Sequence, residues 1–174
     1  MSKIYTIDSV LAEHDHKNFL QEVAEGNLVF RQEYRYRLMT GQEHHEWLKT
    51  RFQHLIDRVV QDLGLSGEVQ QAFLSVELAN CDFMIHRAHP NIGAVISWNL
   101  EDFGGMTMRE WTAGFDDPED YLWNKNKYPG VDHEFRANQA LVVPNHQEPR
   151  FHWGYSSLIG PGRAKQTVWI YLGK

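Results

Sequence analysis

Residues 81–91 read CDFMIHRAHPN, and residues 92–100, IGAVISWNL, follow without a break. The first stretch holds two histidines, His86 and His89, on either side of an Arg-Ala pair, and Pro90 keeps it out of a helix. The second is rich in β-branched residues and reads as a strand. Two imidazoles placed just before a strand suggest a metal site. Ala88, two residues after His86, carries no ligand atom.

The same β character runs from Gln71 to the end of the sequence. AFLSVEL, AVISWNL, MTMREWT, ALVVP, RFHWGYSS and QTVWIYLG are short runs of β-branched and aromatic residues separated by Gly, Pro, Asn and Asp. Strands of this length and spacing predict a sandwich or barrel. The 114–138 segment breaks the rhythm: it is long, polar and punctuated by Pro118 and Pro129. It is expected to be a loop, and its Trp123, Lys125 and Tyr128 suggest a substrate lid.

Before Gln71 the pattern is mainly helical. KIYTI reads as a short strand, and SVLAEHDHKNFLQEVAEG as a helical stretch stopped by Gly26. LVFRQEYRYRLM alternates and is expected to be one strand. In QEHHEWLKTRFQHLIDRVVQDLG, residues Leu48, Phe52, Leu55, Ile56, Val59 and Leu63 fall on one face of a single predicted helix that Gly64 ends. His44, His45 and His54, on or near it, read as solvated surface residues. The expectation is one domain over 1–174, with 1–70 as helical support outside a β core formed by 71–174.

Bulk properties narrow the function. The chain has 174 residues, enough for one domain with a core, and ordinary hydrophobic (42%) and charged (23%) fractions. A net charge of −6 argues against bulk nucleic-acid binding, which runs on Lys and Arg against phosphate. The single cysteine, Cys81, excludes an internal disulfide; beside a strand such a residue is usually a small core side chain. The opening lacks the apolar segment of a signal peptide, and no apolar run approaches a membrane span, so the expected location is cytoplasmic. A G-x-S-x-G elbow and a G-x-G-x-x-G strand-to-helix turn are both missing from the sequence.

The β half contains His86, His89, His133, His146 and His152. Imidazoles from separate strands of a sandwich can converge on one metal, and imidazole with open positions suits non-haem Fe(II). Arg163 follows a Gly-Pro-Gly turn at the start of the last strand, where a guanidinium can hold a carboxylate through two hydrogen bonds.

The order of these pieces resembles the Fe(II)- and 2-oxoglutarate-dependent oxygenases, particularly the short prolyl-hydroxylase-like and phage-type members. The resemblance is carried by CDFMIHRA, then ISWNLEDFGGMT, RANQALVVPN, PRFHWGYSS and GRAKQTVWIYLG, with YTIDSVLAEHDHKNFLQEV looking like the usual opening. It implies a double-stranded β-helix, a jelly-roll or cupin-like fold, with the N-terminal helices packed outside. It implies that His86 is the first metal ligand and His152 the distal one. Arg163 would pair with the far carboxylate of 2-oxoglutarate, and Asn99 would hold the strand end near this cosubstrate. Lys165 stands where the family often has Ser; it either assists Arg163 or faces solvent.

The family's metal-binding carboxylate belongs at Ala88. Chloride can fill the position, as in related halogenases; the site without the carboxylate is more cationic, which favours an anion. Alternatively His89 or another side chain supplies the third ligand, the site has lost iron, or the alanine is an engineered substitution. The implied activity is oxidation of a small-molecule or amino-acid-like substrate, by hydroxylation or halogenation, with Fe(II) and 2-oxoglutarate. The alternative from another class is a degenerate jelly-roll binding protein. A three-histidine cupin-like enzyme is a third reading, and Arg163 speaks against it.

Overall fold

The computed structural model describes residues 3–34, 37–78, 81–82, 89–111, 130–145, 152–157 and 164–174; for 34, 81–82, 103–107 and 152–157 it describes the main chain. The strands are β1 (Tyr5–Ile7), β2 (Phe30–Tyr34), β3 (Arg37–Thr40), β4 (Val69–Glu77), β5 (Cys81–Asp82), β6 (Ile92–Asn99), β7 (Phe103–Trp111), β8 (Gly130–Phe135), β9 (Ala140–Pro144), β10 (His152–Ser157) and β11 (Lys165–Gly173). The helices are α1 (Glu13–Ala24), α2 (His45–Arg51) and α3 (Gln53–Leu63).

Among the described residues these strands form a seven-stranded sheet, β1-β9-β6-β11-β4-β3-β2, and a four-stranded sheet, β5-β10-β7-β8. The pairing from β4 to β11 is nested. β7 pairs with β8, β6 with β9, β5 with β10 and β4 with β11, all antiparallel. One long two-stranded ribbon therefore winds on itself, and contacts between its turns, β11 with β6 and β10 with β7, complete the two sheets. That is a double-stranded β-helix, the expected fold.

The central strands of the larger sheet, β4, β6, β9 and β11, are buried on both sides over most of their length, so parity decides what each residue meets. Even-numbered residues Ala72, Leu74, Ala94, Ile96, Trp98, Val168, Ile170 and Leu172 pack with Phe19, Leu48, Phe52, Leu55, Ile56 and Val59 of the helical layer. Odd-numbered Phe73, Val95, Leu141, Val143 and Trp169 pack with Met108 and Phe135 of the smaller sheet. The helices thus cover the outside of the sandwich. Main chains approach closely at Gly130, where a Cβ would lie 2.6 Å from the Glu110 carbonyl oxygen, and at Gly93, where it would lie 2.8 Å from the Gly173 carbonyl oxygen. Gly64, at φ 65°, closes α3 in the left-handed conformation.

Four local expectations are corrected. The helix expected from Gln42 is broken at Phe52 (φ −109°, ψ 17°) into α2 and α3, although Phe52 N–H still reaches the Leu48 carbonyl at 3.1 Å. The Phe52 ring is fully buried against Trp98 at 4.9 Å and Phe19 at 5.4 Å, and this packing accompanies the break. The strand expected over 28–39 is a hairpin, β2 with β3; alternation has the same period in one strand or two. Part of the expected 114–138 loop is the strand β8, an exposed, charged edge strand without an apolar face along most of its length. Trp123, Lys125 and Tyr128 lie outside the described residues.

The helix histidines are not simply solvated. His45 is buried and its Nδ1 accepts the Ala72 N–H at 3.2 Å. His44 Nε2 accepts the Val29 N–H at 2.9 Å, and His54 Nε2 donates to the Val10 carbonyl at 2.6 Å. Each joins the helical layer to another segment, which a surface reading does not anticipate.

Candidate active site inside the sandwich

The inner face of the larger sheet changes character along its length. Register sets Arg37, Glu77 and Lys165 side by side across β3, β4 and β11. The next row is Met39, Ser75, Thr167 and Asn99, and the one after it brings Phe73, Trp169, Ser97 and Leu141 together. One end of the interior is therefore polar, and aromatic and aliphatic residues follow.

Lys165 is 1% exposed, so the solvent-facing option is corrected. A buried ammonium needs partners. Its Nζ donates to Thr167 Oγ1 at 2.9 Å and sits 4.0 Å from the centre of the Phe135 ring. Thr167 Oγ1 donates in turn to Asn99 Oδ1 at 3.0 Å. Asn99 is buried, and its Nδ2 finds no hydrogen-bond partner among the described residues; the same holds for Ser97 Oγ. Among the described residues the string Lys165–Thr167–Asn99 thus ends in a buried donor without a partner. Glu77, fully buried, is the cross-strand neighbour of both Lys165 and Arg37, and Arg37 also pairs with Glu33 at 3.2 Å. Arg37 in addition lies over the Phe73 and Trp169 rings, at 5.6 and 5.8 Å.

On the smaller sheet, Met108 and Glu110 share one face of β7 while Arg109 and Trp111 share the other. Glu110 is 1% exposed and accepts the main-chain N–H groups of Lys3 and Ile4, with His133 Nε2 at 3.7 Å. Arg109 bonds Asp132 at 2.8 Å and lies 5.8 Å over Trp111. The main chain of His152 opens β10 opposite Trp111.

His89 is exposed in the turn before β6, where its Nδ1 accepts the Asn91 N–H at 3.3 Å. It sits at the opposite end of β6 from Asn99. His86, Ala88 and Arg163 lie outside the described residues. The structure joins Asn99 to Lys165 through Thr167; the side chain of His152 lies outside the described residues. Among the described residues no three His, Cys, Asp or Glu side chains form a metal cluster. A cavity of about 570 Å³ lined by Val10, Leu11, Asp15, Arg51 and His54 lies on the helical side, apart from the polar string.

Thr167, Ser97, Glu77 and Glu110 were missed by sequence reasoning. Two signals could have found the first three: each is a polar residue of a β run, and Thr167 and Ser97 lie two residues from Lys165 and Asn99 along their strands. Among the described residues, no helix is long and apolar enough to cross a membrane.

No protein-family model and no curated protein sequence matches the chain. Solved structures do. HygX from Streptomyces hygroscopicus, solved with nickel and 2-oxoglutarate bound, superposes with a TM-score of 0.68 at 10% identity, covering 99% of this chain and 83% of HygX. SnoN, a non-haem α-ketoglutarate-dependent epimerase from nogalamycin biosynthesis, gives 0.65 at 12% identity, over 98% and 76%. A prolyl-4-hydroxylase from Pseudomonas putida gives 0.62 at 13% identity, over 99% and 93%. This chain shares its fold with these solved proteins.

Proposed function

We propose that the chain carries out Fe(II)- and 2-oxoglutarate-dependent oxidation of a small-molecule or amino-acid-like substrate. The observation that carries this reading is the buried Lys165–Thr167–Asn99 string inside an oxygenase fold. A cation, a hydroxyl and an amide donor at one end of the interior fit the far carboxylate of a dicarboxylate. Glu77 has a cation on each neighbouring strand, Lys165 on β11 and Arg37 on β3. Arg163, two residues before Lys165, is proposed as the residue that pairs with the far carboxylate of 2-oxoglutarate.

His86 and His152 are proposed as metal ligands. His89 is the candidate third ligand through its Nε2, and chloride is the alternative occupant of the position left by Ala88. The bound iron would supply oxygen activation coupled to decarboxylation of 2-oxoglutarate. The chain's own part is to anchor the cosubstrate by Lys165 and Arg163, orient it by Asn99 and Thr167, and exclude water from the interior.

Ala88 favours a second reading, a binding protein derived from such enzymes. Anaerobic titration with Fe(II) and 2-oxoglutarate, with and without chloride, separates the two. A weak charge-transfer band in the visible is expected. A shift with chloride that Ala88→Asp abolishes would assign halogenation. No band and no retained iron would sink the enzyme reading and leave the binding module.

A further inference from the structure

Asn138 stands in the turn between β8 and β9 at φ 55°, a left-handed conformation that asparagine tolerates better than most residues. It is half-buried and joins three parts of the chain. Its main-chain N–H donates to the Asn99 carbonyl at 2.9 Å, and its own carbonyl accepts the Val10 N–H at 3.1 Å. Its Oδ1 accepts from Leu11 N–H at 2.9 Å and from Trp98 Nε1 at 3.2 Å, while its Nδ2 donates to the Leu11 carbonyl at 2.7 Å.

Trp98 and Asn99 are adjacent but face opposite ways. The Trp98 ring packs among Phe19, Phe52 and His16 in the helical layer, and the Asn99 side chain reaches Thr167 inside the sandwich. Asn138 holds the first by its side chain and the second by its main chain. A bridge between Ala137 and Asn99, and the Ala137 N–H on Asp102 Oδ1 at 2.7 Å, brace the same spot. A shift of the main chain at Asn99 therefore disturbs the residue that also holds the N-terminal segment at Val10 and Leu11.

We propose that Asn138 is a positioning residue for the cosubstrate: it fixes the end of β6 so that Asn99 Nδ2 and the Lys165–Thr167 pair meet one carboxylate, and it couples the N-terminal segment to that site. The inference rests on the 2-oxoglutarate reading given above. It makes the helical half part of the binding apparatus.

The test uses the full chain loaded with Fe(II) without oxygen, and reads 2-oxoglutarate affinity by titration together with amide hydrogen exchange of residues 97–100 in the absence of ligand. Variants are Asn138→Ala, Asn138→Gly and Asn138→Asp, each alone and with Asn99→Ala. Ile170→Ala serves as a control destabilised from the helical side. Asn138→Ala and Asn138→Gly are expected to weaken 2-oxoglutarate about tenfold, the scale of one or two lost hydrogen bonds. Both should speed exchange at 97–100. Glycine accepts the φ, so an equal loss in both variants assigns the effect to the side-chain bonds rather than to backbone strain. Asn138→Asp keeps the acceptor for Leu11 and Trp98 but turns a carboxylate oxygen toward the Leu11 carbonyl, so it should weaken 2-oxoglutarate as well. With Asn99→Ala in place, Asn138→Ala should cost little more.

Parent-like affinity in Asn138→Ala, or an equal loss in Ile170→Ala, would overturn the proposal. So would a loss that remains undiminished in the Asn99→Ala background. If the parent takes up no 2-oxoglutarate, the functional reading falls and the cosubstrate role with it; fast exchange in Asn138→Ala would then show that the brace on Asn99 is structural.

Discussion

On its helix side the larger sheet presents Ala72, Leu74, Ile96, Trp98, Val168 and Ile170, all apolar. On its other side the same strands present Ser75, Glu77, Ser97, Asn99, Lys165 and Thr167, all of them buried as well. Neighbouring residues on one strand thus meet opposite demands. The helix side buries apolar area, which stabilises the fold in proportion to that area. The inner side places polar groups out of water, which costs free energy unless every one is partnered. Asn99 Nδ2 and Ser97 Oγ lack partners among the described residues. A side of a sheet kept polar at that cost is the side where a ligand is expected.

The comparison breaks most visibly at Lys165. Lys165→Met removes the ammonium and leaves the adjacent Glu77 carboxylate with one cation fewer, an expected loss of about 4 kcal/mol. Urea unfolding measures it, and 2-oxoglutarate uptake should vanish in the fraction that folds. A change below about 1 kcal/mol would mean that Glu77 does not depend on Lys165. Ile170→Ala, one strand position from Trp169 but on the helix side, should cost about 3 kcal/mol while leaving cosubstrate affinity unchanged. If its affinity falls in step with stability, the two faces are not separate in function.

Ser97→Ala sharpens the contrast. Removing a buried hydroxyl without a partner should leave stability unchanged or raise it by up to about 1 kcal/mol, whereas cosubstrate or substrate binding should weaken. A stability loss of that size would place an unrecognised partner on Ser97.

The smallest effect concerns Tyr5, at the outer edge of the larger sheet. Burial first, and the negative charge of Asp62 second, push its phenol from 10.0 up to about 12. The neutral phenol is favoured in the folded state, so its contribution to stability is complete below pH 10 and is lost as the pH rises through 12. Burial raises the Tyr171 phenol too. In an ultraviolet titration both should ionise above the ordinary phenol range, and Tyr5→Phe should remove one late step.

What the sequence made readable follows the same division. β6 and β11 carry apolar residues on both faces, so their runs stand out whatever the register. The helical face of Leu48, Leu55, Ile56 and Val59 is legible because only one side is buried. β8 is not, since an edge strand can be polar nearly throughout and Gly-Val-Asp-His-Glu-Phe resembles loop. Lys165 could be placed at the start of a strand, but its burial depends on Phe135 and Thr167, and the first of these comes from a segment that read as loop. The Asn138 brace was invisible for a related reason: its partners lie 40 and 127 residues away in the chain.

The nested pairing also bears on how the chain reaches this state. β11 occupies the middle of the larger sheet, between β6 and β4, and pairs with strands as far back as residue 69. Ser75 and Thr167, bonded across that seam, are 92 residues apart. The innermost pair, β7 with β8, can form from local chain, but each later pair must close a longer loop than the one before. Such topology predicts slow folding. Until Lys165–Gly173 is in place, both of its neighbours keep an open, apolar edge, a site for pairing with another molecule. The strand that begins at Lys165 therefore finishes the polar interior and shuts the last aggregation-prone edges of the sheet in a single event.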